Sequence, residues 1–160
     1  GRLATTVTAH HLILTNDEST TAYEKCMPII KTAEDRAVLR RAVTSGDTRF
    51  FLGTDSAPHT VTAKESANPP AGIFTAPAAI ELYAQIFAEE GKLENLEAFA
   101  SLNGPRFYGM KQNKEKITLE KSPWTIDALV DVEDGSKIRP FGYHEDPAKR
   151  LSIQWKITDK

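Results

Sequence analysis

The chain has almost no cysteine, no concentration of charge and no long apolar stretch. Each shortage removes a class of protein. Of 160 residues one is cysteine, Cys26. A lone thiol forms no internal disulfide, so the core has to hold the fold, and a reducing, cytoplasmic setting is expected. Basic and acidic residues nearly balance, 20 against 22, for a net charge of −2, and no basic block occurs. That leaves no electrostatic footprint for nucleic acid or for an anionic membrane surface. No apolar run approaches the roughly 18–20 residues needed to cross a bilayer, and the start does not read as a signal peptide. The first residue is Gly1 rather than Met, and Arg2-Leu3 run straight into a strand-like segment. A start inside a larger protein is the expectation.

What is present is enough chain for one sizeable core. Ala4-Thr5-Thr6-Val7-Thr8-Ala9 is short and rich in β-branched residues, the pattern of a strand. His10-His11-Leu12-Ile13-Leu14 continues it or turns at its end. Residues 15–25 are polar and aperiodic, a surface loop. Thr32 with Asp35 three residues on comes close to a capping box. Val38, Leu39, Ala42 and Val43 then recur at helical spacing, and Gly46 fits a C′ stop. Arg49 to Leu52 reads as a second strand. Strand, loop, helix and strand together favour parallel pairing through a right-handed crossover. Residues 60–75 read as one long loop around Pro69-Pro70-Ala71-Gly72. Pro77 suits the first turn of a helix with Ile80, Tyr83, Ile86 and Phe87 on its buried stripe and Gly91 at its end. A shorter helix over 93–102 is expected to break at Asn103-Gly104-Pro105. From about Lys111 short alternating strands and loops replace the βα pattern. The expected division is therefore 1–111 and a carboxyl-terminal extension, 112–160.

Candidate chemistry gathers behind the apolar run Phe50-Phe51-Leu52, in Gly53-Thr54-Asp55-Ser56-Ala57-Pro58-His59. A carboxylate at the carboxyl end of a strand can ligate a metal and take a proton from water whose pKa the metal has lowered. An Asp there also serves as a plain turn former. His59 reads as an anion contact, as a metal ligand or as a surface histidine. His10 and His11, if on a strand, point to opposite faces, one inward and hydrogen-bonded and one outward. Cys26 reads as a small buried hydrophobe, with no base evident near it in sequence. Ala71-Gly72 permits close approach of backbone to a ligand, and a plain turn explains it as well. His144 is assigned no role.

Taken together, Leu3 to Leu12, Cys26-Met27-Pro28-Ile29-Ile30-Lys31, Phe51 to His59, Lys64-Glu65-Ser66, Ala71-Gly72-Ile73-Phe74 with Ala76-Pro77, and Asn103 to Gly109 resemble the class II dihydroorotases, zinc amidohydrolases of pyrimidine synthesis. They occur in that family's order over roughly residues 3–110. The resemblance implies an α/β fold: the carboxyl-terminal part of a TIM (β/α)8 barrel, strands seven and eight with their helices, plus a short-stranded tail. It implies reversible closure of N-carbamoyl-L-aspartate to dihydroorotate at two zinc ions bridged by a carboxylated lysine. Asp55 matches the aspartate that ligates one zinc and shuttles the proton. His59 matches a contact to the substrate carboxylate, and Met27 and Ala71 match backbone contacts to substrate. Met27 stands where the family usually has Leu.

The family's His-x-His pair, its bridging lysine and two further histidine ligands would precede the first residue. Alone the chain is expected to be inactive, and the full-length protein to be a cytoplasmic homodimer that takes a small-molecule substrate and neither nucleic acid nor membrane. An alternative reading is a barrel remnant used for self-association or partner binding, since the bare edges of a two-stranded sheet need cover. A third is an amidohydrolase acting on another cyclic amide.

Overall fold

A computed structural model of the chain describes residues 3–19 and 21–159. Strand β1 spans Thr5–Val7. Helix α1, Ala9–Ile13, follows at once, so the chain turns at the end of the strand rather than continuing it. Thr8 starts it, its hydroxyl accepting from the His11 N–H. Ala9 and Leu12, three apart, are both fully buried, the spacing of a helical face rather than of a strand.

Helix α2 spans Ala33–Thr44 and begins with the expected reciprocal cap. The Thr32 hydroxyl accepts from the Asp35 N–H, and the Asp35 carboxylate accepts from the Thr32 N–H, both at 3.2 Å. Gly46 ends the helix region at φ +86°. Of the apolar residues at helical spacing, Val43 is buried and Val38 is exposed. Strand β2, Phe50–Leu52, pairs parallel to β1 with Thr5 opposite Phe50 and Val7 opposite Leu52. The expected parallel pairing is therefore present.

The stretch read as one long loop contains a single-turn helix, α3, Val61–Lys64, started by the Thr60 hydroxyl on the Ala63 N–H at 3.2 Å. A 3₁₀ turn carrying Pro77 then leads into α4, Ala79–Glu89. This helix is the centre of the core. Leu82, Tyr83, Ala84, Ile86 and Phe87 are all buried, and Phe99 packs on Tyr83 and Phe87 with ring centroids 5.3 and 5.2 Å apart. Each large apolar side chain so buried contributes about 1.5–3 kcal/mol. The Tyr83 hydroxyl donates to the Val7 carbonyl at 2.7 Å, fixing α4 across β1. Arg40 on α2 donates to the Leu12 carbonyl at 2.7 Å and pairs with Glu89 at 3.0 Å, joining α1, α2 and α4.

Asn103-Gly104-Pro105 does not break the chain's course. A π-helical turn over Ala98–Leu102 runs into helix α5, Asn103–Tyr108, which ends at Gly109 with φ +68°. Pro105 follows closely on the π-helical turn, so the helical ladder widens just before the residue that has no N–H to give it. Gly104 lies close against Phe51, and the Asn103 amide donates to the Phe50 carbonyl at 3.1 Å, so α5 is pinned to β2.

Beyond it, β3 (Thr118–Trp124) and β6 (Ile153–Asp159) form an antiparallel pair. The short strands β4 (Val130–Asp131) and β5 (Lys137–Ile138) form another. Ile153 is fully buried in the same cluster as α4, and the Gln154 N–H donates to Gln85 on α4 at 3.1 Å. Among the described residues no helix is long and apolar enough to cross a membrane.

Candidate functional site

Because β1 and β2 are parallel, both deliver their following residues to the same rim. Thr8 and His11 come from the end of β1, and Gly53 and Asp55 from the end of β2. These four, with Thr6, Pro28 and Ile29, line an open cavity of about 620 Å³. Gly53 is required where it stands, since a Cβ there would overlap the Thr6 side chain across the strand pair.

Asp55 is the only non-glycine residue at positive φ among those described, at +43°. A left-handed carboxylate residue costs backbone energy that the surrounding fold must offset, and such strain clusters at working sites. Its side chain is exposed and takes no hydrogen bond from a described residue. The turn-former reading therefore lacks the side-chain bond it requires. Asp55 also belongs to no group of three or more metal-ligating side chains among the described residues. Its donor chemistry suits one ligand of a hard or borderline cation, and further ligands would have to be added to it.

His59 and Ala71, predicted separately, meet directly. A carbonyl only accepts, so the His59 Nε2 carries the hydrogen and donates to the Ala71 carbonyl at 3.0 Å. The loop around Ala71 is held from several sides. Lys25 donates to the Pro69 carbonyl at 2.6 Å, and Lys64 to the carbonyls of Pro70 and Gly72 at 3.0 and 2.7 Å. The Gly72 N–H donates to the Lys25 carbonyl at 2.9 Å, next to Cys26-Met27. The Ala57 N–H donates to the Ile73 carbonyl at 3.0 Å. Gly72 sits at φ +146°, and a Cβ there would stand 2.6 Å from the Ala57 carbonyl oxygen. Three loops distant in sequence, 25–28, 53–59 and 69–73, are thus stitched into one unit. Met27, the fourth predicted contact, is exposed at its edge.

The adjacent histidines differ from the expectation in two ways. Standing on a helix rather than a strand, their rings lie 4.7 Å apart instead of on opposite faces. The inward one, His10, is fully buried with neither ring nitrogen hydrogen-bonded, and burial, with His11 adding, pulls its pKa down to about 4. The outward one, His11, has both nitrogens engaged. Its Nε2–H donates to the Pro28 carbonyl at 2.9 Å, and Nδ1 accepts from the Thr8 hydroxyl at 2.7 Å.

The fold also brings His11 within 4.0 Å of the Cys26 sulfur, a neighbour that the sequence did not reveal. Burial pushes the Cys26 thiol up, and its S–H donates to the same Pro28 carbonyl at 3.2 Å. His10, His11 and Cys26 hold ligand atoms within 4.8 Å of one another. Two of the three are committed to Pro28, so the cluster is closed around a carbonyl rather than open to a cation.

Lys64 is the residue the sequence did not single out for the site. It is 3% exposed, and burial, with Lys25 adding, lowers its pKa. Lysine is so seldom buried that composition gives no warning of it. Only its place in a family-like stretch marked it.

Comparison with known proteins gives the family and the fold. Residues 3–128 match the model of the family described as "Amidohydrolase family". The chain is 53% identical over 148 residues to a dihydroorotase of Vibrio campbellii, covering 85% of this chain and 43% of that protein. It is 47% identical to one from an Azoarcus species, covering 98% and 45%. Among solved structures, the Saccharomyces cerevisiae dihydroorotase in complex with 5-fluoroorotic acid superposes with a TM-score of 0.88 at 33% identity, covering all of this chain and 44% of that one. The Campylobacter jejuni dihydroorotase gives 0.80 at 29%, covering 98% and 44%. The chain therefore spans a little under half the length of the relatives it matches, and its β1–β2 pair with flanking helices is part of the same barrel architecture.

Proposed function

The chain belongs to the amidohydrolase family, and from that premise we propose that the full-length protein is a dihydroorotase, interconverting N-carbamoyl-L-aspartate and dihydroorotate in pyrimidine synthesis. The observation that carries the reading is Asp55. It stands at the end of a barrel strand, in a strained conformation, its side chain without a hydrogen bond to any described residue, on a cavity that it shares with the Pro28 loop. Family membership implies a metal cofactor. In our reading this is a pair of zinc ions bridged by a carboxylated lysine, with Asp55 as the one ligand that residues 1–160 provide. Bound zinc would polarise the amide carbonyl and lower the pKa of nearby water.

The chain's own residues do the rest. Asp55 takes up the proton at its carboxylate and returns it to the departing ring nitrogen in the hydrolytic direction, and the reverse during cyclisation. The Ala71 N–H holds the substrate carboxylate beside His59, whose Nε2–H fixes the Ala71 peptide. The Met27 backbone closes the site from the neighbouring loop, where its side chain is exposed and a change from Leu costs little. The stitched loops set these groups before substrate arrives, and such preorganisation is what makes electrostatic contacts effective. Residues 1–160 alone supply one carboxylate to the metal and turn nothing over. We place the full-length protein in the cytoplasm as a homodimer acting on this small molecule.

The test is direct. Purified full-length protein is assayed for dihydroorotate hydrolysis and for N-carbamoyl-L-aspartate cyclisation, before and after chelation and after zinc is restored. Chelator-sensitive turnover in both directions is expected. Absence of both activities in zinc-loaded protein would sink the reading.

A further inference from the structure

We propose that Lys64 is a positioning residue that selects for a carboxylate-bearing ligand, by aiming and polarising the Ala71 peptide group. The inference rests on the reading that Ala71 contacts the substrate through its backbone N–H.

The loop Pro69-Pro70-Ala71-Gly72 has an unusual hydrogen-bond pattern. All four consecutive carbonyls accept from side chains, those of Lys25, Lys64, His59 and again Lys64. The two prolines have no N–H, and the Gly72 N–H is used on the Lys25 carbonyl. The Ala71 N–H is therefore the one amide donor of the loop left without a described partner. Its carbonyl counterpart across the same peptide bond is Pro70 C=O, held by the Lys64 ammonium at 3.0 Å.

In a planar trans peptide the C=O and N–H point in opposite directions. Lys64 pulling on the oxygen therefore directs the Ala71 hydrogen away from the protein interior. A cation on the carbonyl also strengthens the N–H as a donor, because linked hydrogen bonds polarise one another. The buried charge sits one peptide away from an anion at that N–H, in a setting with little water to screen it. Two carbonyl bonds leave the ammonium with a net positive charge, and Glu24, the carboxylate that acts on it, does so from a distance without an ion pair. An anionic ligand group completes that balance, and a neutral one does not.

The test compares orotate with its methyl ester as inhibitors of the full-length protein, in parental form and as Lys64→Met and Lys64→Gln. The variants are expected to weaken orotate by about tenfold to a hundredfold, the weight of a charge-assisted contact, and the ester by less than about threefold. For dihydroorotate the loss should fall more on KM than on kcat. Lys64→Gln keeps a neutral donor for the carbonyls, so it should fold as the parent does while still losing the discrimination.

Equal weakening of acid and ester, or unchanged orotate binding, overturns the proposal. Failure of both variants to fold does so too, since it would make the lysine a structural tie alone. A parental protein that neither turns over dihydroorotate nor binds orotate would instead remove the functional reading beneath it. Parental turnover with equal losses removes only the role of Lys64.

Discussion

Helix α4 and the stitched rim loops are neighbours built by different physics. Around α4 the packing is apolar and aromatic. Tyr83, Phe87 and Phe99 interlock, and the Tyr83 hydroxyl is satisfied by the Val7 carbonyl. On the rim apolar burial is confined to a small cluster of Cys26, Ile30 and Ile73. Its loops are held by cations and N–H groups on carbonyls, with Asp55 and Gly72 in conformations that side chains avoid. The core stores stability and the rim stores geometry. A substitution in one should therefore move a quantity that the other leaves nearly alone.

The sharpest separation is expected from Asp55→Asn in the full-length protein. It keeps the shape of the side chain and removes its proton chemistry, so kcat should fall about a hundred- to ten-thousandfold, the range for a lost acid–base group. Compared metal-free, the urea midpoint should stay close to parental, since the Asp55 side chain accepts no hydrogen bond from a described residue. A variant that unfolds instead would blur the contrast. The mirror experiment is Phe87→Ala. Emptying a fully buried aromatic site costs about 3–5 kcal/mol of unfolding free energy, read by urea titration, while KM of whatever remains folded should be parental.

His10 lies between the two regions and gives a pH signature. Its folded pKa, about 4, is below the ordinary 6.5. Between those values the unfolded chain binds more protons, so stability rises with pH across that window and is lost as pH falls from about 6.5 towards 4, by about 3 kcal/mol in all. Urea titrations at several pH values should show the slope in the parent and a flatter profile in His10→Leu over that interval. The smallest effect is at the α2 cap. Thr32→Ala should cost about 1 kcal/mol and leave turnover unchanged, because that cap touches neither region.

The same contrast explains what could be read from the chain beforehand. The α2 cap, the apolar stripe of α4 and the β1–β2 pairing follow from short-range patterns, and they stand in the structure. The His10-His11 segment was misread because a five-residue helix offers less than two turns of periodicity. The course through Asn103-Gly104-Pro105 differs from the expected break because a π-helical turn precedes the proline, and no local pattern in the sequence marks such a turn. For the rim, spacing alone left Asp55 and His59 ambiguous. Only likeness to a known family joined them to Met27 and Ala71, residues with no chemical signature of their own. The ties that unite these loops, Lys64 to Pro70 and Gly72, and His11 with Cys26 to Pro28, connect residues whose roles depend on where remote backbone carbonyls arrive. No local pattern encodes that.

The most direct trial of a preformed anion-holding rim is a crystal structure of the full-length, zinc-loaded protein with orotate. The account requires the orotate carboxylate to rest on the Ala71 N–H and against His59, with the rim loops unmoved and an Asp55 oxygen on the metal. An orotate seated elsewhere, or rim loops that reach their arrangement only after it binds, would contradict it.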